Sequence, residues 1–141
     1  MVVTMLASIV AGPVTVVAGT QVRRRIFTVP DEHNRGQLIR AMVRVSATLV
    51  GNAANYFKVS VRNKGTAASP TDVEMASFTH SDASVSLAAH TDKALTLSTT
   101  PANRKWSPSE RVEMQVDHTG SGMAATDLEV EVHIDPNGTY S

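Results

Sequence analysis

The chain has 141 residues, 42% hydrophobic and 18% charged, which bounds it to one globular domain large enough to bury a core. Thirteen Lys and Arg balance thirteen Asp and Glu, so the overall field steers toward neither nucleic acid nor an anionic membrane. The lack of cysteine excludes disulfides, thiolate zinc sites and cysteine nucleophiles, and 4% aromatics is lean for stacking on sugars or bases.

Residues 1 to 22, MVVTMLASIVAGPVTVVAGTQV, carry no ionisable side chain. A membrane anchor is disfavoured because Gly12-Pro13 interrupts the run and its Val, Ile and Thr residues favour strand over helix. No basic residue precedes the apolar stretch, as a signal peptide would require. Residues 1–20 therefore read as an extended N-terminal arm: Met1 to Val10, a turn, then a short strand from Val14 to Ala18. Val2, Met5, Leu6, Ile9 and Val10 are its candidate interface residues, best satisfied on another chain, with coverage of its own domain as the rival arrangement. On the first arrangement, removal of residues 1–20 leaves a folded β domain that has lost its fastener.

A single domain is expected over residues 21–141. Gln21 to Val29 reads as a strand, and its Arg23-Arg24-Arg25 is not one patch, because the middle side chain points opposite to its neighbours. Missing interleaved aromatics also weigh against nucleic acid. PDEHNRG, from Pro30 to Gly36, is a turn-rich loop; Asp31-Glu32-His33 within it needs no cation to explain it. Gln37 to Val50 is the longest candidate strand, with Ile39, Ala41, Val43, Val45, Ala47 and Leu49 on one face. Tyr56 to Arg62 follows with Phe57, Val59 and Val61 inside and Lys58, Ser60 and Arg62 outside. Weaker strands are expected at Val73 to Phe78, Ser84 to Ala88 and Lys93 to Ser98. The loop Pro101 to Glu110 holds the only Trp, and Arg104, Lys105 and Trp106 are candidate interface residues, Trp106 being either an exposed anchor or a lid on the sandwich.

Two acidic strands close the chain. Val112, Met114 and Val116 oppose Glu113 and Asp117; Leu128, Val130, Val132 and Ile134 oppose Asp127, Glu129 and Glu131. Pairing them as one hairpin would set acid against acid. Up to Lys64 the chain carries +7, and from Gly65 onward −7, so basic strands are available as neighbours.

Counted from Gln21 there are eight strands, and the expected fold is all-β, an eight-stranded jelly-roll-like β-sandwich. Its winding places the seventh strand beside the second and the eighth between the first and third. Glu113 and Asp117 are thus expected beside Arg40 and Arg44, and Asp127, Glu129 and Glu131 beside Lys58 and Arg62.

No histidine pair has metal-site spacing, and there is no nucleophile elbow or phosphate loop. His133 reads as a solvated imidazole beside Glu131, and Asn137-Gly138-Thr139 as a chance glycosylation triplet. The sequence thus points to no catalytic residues, no metal and no cofactor.

The uncharged arm, the strand series from Gln21, above all Trp106 to His118 and Leu128 to Ile134, and the small-residue turns Thr66 to Ser69 and Thr119 to Ala125 resemble the decoration or cement proteins of tailed-bacteriophage capsids. That resemblance implies a non-enzymatic homotrimer on the outer capsid surface of the virion. It would stabilise the shell by bridging subunits of the major capsid protein, with no nucleic-acid or membrane partner. The alternative is a receptor- or carbohydrate-binding tail-fibre or tail-tip module; a metal-holding enzyme on a cupin-like scaffold is disfavoured by the aliphatic interior.

Overall fold

A computed structural model describes residues 7–30 and 36–135, which form two packed antiparallel sheets and a small ribbon. Val2, Met5 and Leu6, the acidic turn at 31–33 and the glycosylation triplet lie outside the described residues. The strands are β1 (Ala7–Val16), β2 (Val22–Thr28), β3 (Gly36–Arg44), β4 (Leu49–Val50), β5 (Tyr56–Gly65), β6 (Pro70–Thr79), β7 (Ser86–Leu87), β8 (Lys93–Ala94), β9 (Thr96–Leu97), β10 (Lys105–Trp106), β11 (Arg111–Thr119) and β12 (Ala125–Asp135). One 3-10 turn, Pro101–Arg104, precedes β10. The first sheet runs β1-β12-β3-β10, with β8 also on β3; the second runs β2-β11-β5-β6-β9; β4 and β7 form the ribbon.

The period-two faces are as the residues dictate. Phe57, Val59 and Val61, then Val112, Met114 and Val116, then Leu128, Val130 and Val132 are all at most 1% exposed. They meet between the sheets in one apolar core. The β3 alternation is broken by a bulge: His133 pairs with Arg40 and Ile134 with Leu38. Ile39 is the extra residue, so Leu38 is buried and Ile39 only half-buried, and the expected inward run resumes at Ala41. The expected strand to Val50 also ends early, because Leu49–Val50 leaves the sheet to pair with Ser86–Leu87. The sixth expected strand is divided between the sheets. Lys93–Ala94 pairs with β3 and Thr96–Leu97 with β6, pivoting on buried Leu95.

The largest difference from the sequence reading concerns Ala7–Val16. Ala7–Val16 is an integral strand, paired antiparallel with β12 from Ala7↔Ile134 to Val16↔Ala125. Gly12-Pro13, read as a turn, is instead an irregularity within that strand. Gly12 has φ +107, and a Cβ there would lie 2.6 Å from the Leu128 carbonyl oxygen, so glycine is required. Of the two arrangements foreseen for this segment, Ala7–Val16 takes coverage of its own sandwich.

Counting this strand moves the four strands β2, β3, β5 and β6 up a place, while the fifth expected strand falls into the β4–β7 ribbon, so the acidic strands remain seventh and eighth. β11 accordingly lies between β2 and β5, and β12 between β1 and β3. The acidic strands are in different sheets, as the like-charge argument requires, but their basic neighbours are exchanged. Glu113 faces Arg62 on one side and Arg25 on the other, and Asp117 faces Lys58. Glu129 faces Arg44, and His133 faces Arg40. The expected pairing of Arg40 and Arg44 with Glu113 and Asp117 does not occur.

One core histidine was not foreseen. His80 is fully buried between Phe57 and Phe78, at ring-centroid distances of 5.7 and 5.5 Å, with Nε2 3.2 Å from the Leu49 carbonyl oxygen. Burial is the main cause that lowers its pKa; the Leu49 hydrogen bond opposes this and Lys93 adds to it. A lowered folded-state pKa means that the unfolded chain takes up the proton first. The stabilising contribution of neutral His80 is therefore complete above about pH 6.5 and is lost as pH falls below it. Between pH 7 and pH 5 the thermal midpoint of the native chain is expected to fall more than that of His80→Phe. Parallel curves would show that His80 is not the group responsible.

Candidate interaction surfaces

The outward face of the second sheet is arranged by strand: basic on β2 (Arg23, Arg25), acidic on β11 (Glu113, Asp117), basic on β5 (Lys58, Arg62, Lys64) and acidic on β6 (Asp72, Glu74). The columns are knitted together. Lys64 Nζ donates to Asp72 at 2.9 Å and to Gln115 Oε1 at 2.8 Å. Gln115 Nε2 donates to Asp117 at 2.7 Å, and Asp117 also accepts from Gln21. Arg62 reaches Asp72 at 2.6 Å and Glu74 at 3.2 Å, while Lys58 pairs with Glu74. The Arg62 hydrogen bond, seconded by Lys64, holds the Asp72 carboxyl below the usual carboxylate range. Such a face is internally neutralised. Its exposed pairs contribute about 0–1 kcal/mol each, so their main effect is on strand register.

Lys64 and Gln115 are the exception, because both are buried, at 8% and 7% exposure. Replacing Lys64 with Met would strand the Gln115 carbonyl oxygen and is expected to cost about 1–3 kcal/mol. Urea unfolding of Lys64→Met, Gln115→Ala and the double variant checks this. Strictly additive losses would mean that the two side chains do not act as a unit.

On the outer face of the first sheet, Arg44 gathers Asp92 at 2.6 Å, Glu129 at 3.3 Å and Glu131 at 3.8 Å. His133 sits 3.0 Å from Glu131 and is partly exposed, in keeping with the sequence reading. Among the described residues, no group of three His, Asp or Glu comes together in a way that could hold a metal ion.

The sequence candidates separate. Trp106 is 5% exposed, its ring edge-on to Phe27 at 5.0 Å and 74°, so it is a lid and not an exposed anchor. Trp106 and Ile9 are brought together at an apolar groove of about 240 Å³ completed by Phe27, Val29, Pro30 and Ile134. Val10, at 48% exposure, lies on the outer face opposite Glu131, away from that groove. Lys105 is exposed, and Arg104 lies in the 3-10 turn with a buried Nε.

A larger polar cleft of about 610 Å³ lies between β6, β9 and the 3-10 turn. Arg62, Asp72, Ser77, Thr96, Ser98 and Asn103 are among its walls. Sequence reading missed it because its walls come from β5, β6, β9 and the 3-10 turn, brought together only by the sheet order.

The remaining feature is a flank. Among the described residues, β1 and β2 each have a neighbour on one side only, and they are the adjoining edges of the two sheets. β2 presents exposed Arg23, Arg24 and Arg25, of which Arg23 meets Glu113 at 3.3 Å. β1 presents an uncharged edge. No protein-family model and no curated protein matches the chain.

Proposed function

We propose that the protein is a non-enzymatic structural component of a virion, a jelly-roll sandwich of the decoration type. In this reading it works as a homotrimer on the outer capsid surface and stabilises the shell by bridging major capsid protein subunits. Support for the jelly roll comes from the strand orders. With β1 as the first strand, β8–β9 as the sixth and the two-residue β4, β7 and β10 left out of the count, they run 1-8-3-6 and 2-7-4-5, the sixth reaching the second sheet as well through β9, a winding shared by viral capsid proteins, lectins and cupins. Val, Leu, Met and Phe fill the interior where a cupin would place metal ligands.

The observation that carries the attachment role is the open flank of β1 and β2. A long strand edge is a template for pairing, and a bridging protein needs such surfaces. The test is whether the protein co-purifies with a particle in stoichiometric amounts and is seen on its surface by electron microscopy. A protein that is absent from particles, or enclosed within them, overturns the reading.

The hydroxyl-rich cleft beside β9 favours a second reading, a receptor- or carbohydrate-binding module. It predicts a glycan-array signal that is lost in Asn103→Ala; Trp106, being buried, is the wrong residue to change.

A further inference from the structure

The β4–β7 ribbon stands apart from both sheets and carries a loop that lies over a buried imidazole. Among the described residues it has only two pairs, Leu49↔Leu87 and Val50↔Ser86. Just beyond it the Gly51 amide donates to the Val85 carbonyl oxygen at 3.1 Å, and the Asn52 amide to the His80 carbonyl oxygen at 3.3 Å. A Cβ on Gly51 would fall 2.1 Å from the Asp82 carbonyl oxygen, so the loop presses directly on the chain that follows His80. Little else anchors it. Of residues 47–54 only Gly51 is buried, and only Leu49 is partly buried. Segments with few buried side chains and few hydrogen bonds open without global unfolding.

The imidazole beneath depends on being neutral. The Leu49 carbonyl can only accept, so Nε2 of His80 carries the ring proton and Nδ1 is a bare acceptor. Nδ1 is buried and has no hydrogen-bond partner among the described residues. Phe57 and Phe78 pack against the ring from β5 and β6. Carboxylates on the surrounding elements are engaged elsewhere. Asp82 accepts from the Ser84 amide and hydroxyl at 2.8 and 2.7 Å. Glu74 is held by Lys58 and Arg62, and Asp92 by Arg44. The charge that acts on the ring is the Lys93 ammonium, 5.6 Å from the Phe78 centroid, which repels an imidazolium. A proton added at Nδ1 must therefore find water, and the least anchored segment around the ring is the loop.

We propose that residues 48–52 form an acid-released flap latched by His80: a solvent proton taken up at Nδ1 unseats the flap while both sheets stay folded. A buried histidine beside a weakly held element is the usual construction of a pH-sensitive switch. This device is separate from the virion role and does not depend on it.

Hydrogen exchange of the whole native protein, read amide by amide by NMR as protection factors at pH 7 and pH 5, tests it. Protection of Gly51 and Asn52 is expected to fall at least about tenfold, and that of amides in the centre of β5 and β11 less than about twofold. In His80→Phe, which has no ring proton to gain, the Gly51 and Asn52 amides should also change less than about twofold. A titration of the native chain gives a second reading that needs no variant. The His80 ring nitrogens and the Gly51 and Asn52 amides should shift with one midpoint. Loss of protection at all sites together, or an equal pH response in the two chains, would overturn the proposal. So would an imidazole that takes up its proton with the flap amides unmoved, or a flap that opens while the ring is still neutral.

Discussion

Deleting residues 1–20 is expected to abolish cooperative folding. β1 pairs with β12 along its length, and it buries Ala11, Val14 and Val16 at 5%, 7% and 1% exposure, with Ile9 packed behind them. Loss of that apolar burial costs about 5–8 kcal/mol, against a total stability of about 5–15 kcal/mol for a domain. The deletion would also uncover Leu128, Val130 and Val132 and leave β12, with its three outward carboxylates, as a raw edge. This reverses the expectation drawn from the uncharged sequence, that a truncated domain stays folded. Circular dichroism in urea decides it: the native chain should show one sharp transition, and the truncated chain none. A truncated chain with an unchanged midpoint would mean that β1 is dispensable to the sandwich. A shorter deletion of residues 1–6, which spares β1, is expected to keep the transition.

The second large effect is expected at Trp106. Its ring lies in the core, edge-on to Phe27, over a strand position where only glycine fits: a Cβ on Gly36 would fall inside the indole. Trp106→Ala therefore leaves a cavity between the sheets and joins it to the groove lined by Ile9, Phe27 and Ile134. The expected loss is about 3–5 kcal/mol, read as a lowered urea midpoint at unchanged slope. Trp106→Phe should retain most of the stability. Gly36→Val attacks the same contact from the other side and is expected to cost about 1–3 kcal/mol by overpacking. If Trp106→Ala cost less than about 1 kcal/mol, the lid assignment would fail and the exposed-anchor reading would return.

Much of this molecule was legible in its residues because alternation is a local property. Which side chains of β5, β11 and β12 face inward follows from period two alone, and the prohibition on pairing the acidic strands follows from like charge. Both hold whatever else the chain does. The candidate interface residues were less legible. Trp106 between Ser, Pro and basic neighbours reads in sequence as either an exposed anchor or a lid, and its burial over Gly36 decides for the lid.

Sequence by itself determined the all-β class, the inward faces and the separation of the two acidic strands into different sheets. Tertiary structure decided the membership of Ala7–Val16 in the first sheet, the exchange of basic partners between β11 and β12, and the bulge that turns Ile39 out and Leu38 in. The physical reason is that an uncharged, β-branched segment carries no polar face to mark it as half-buried, so its place depends on a hydrogen-bonding partner more than a hundred residues away. Once that one strand is placed, the basic strands move up one place in the winding, and the acidic neighbours of Arg44 and Arg62 change with them.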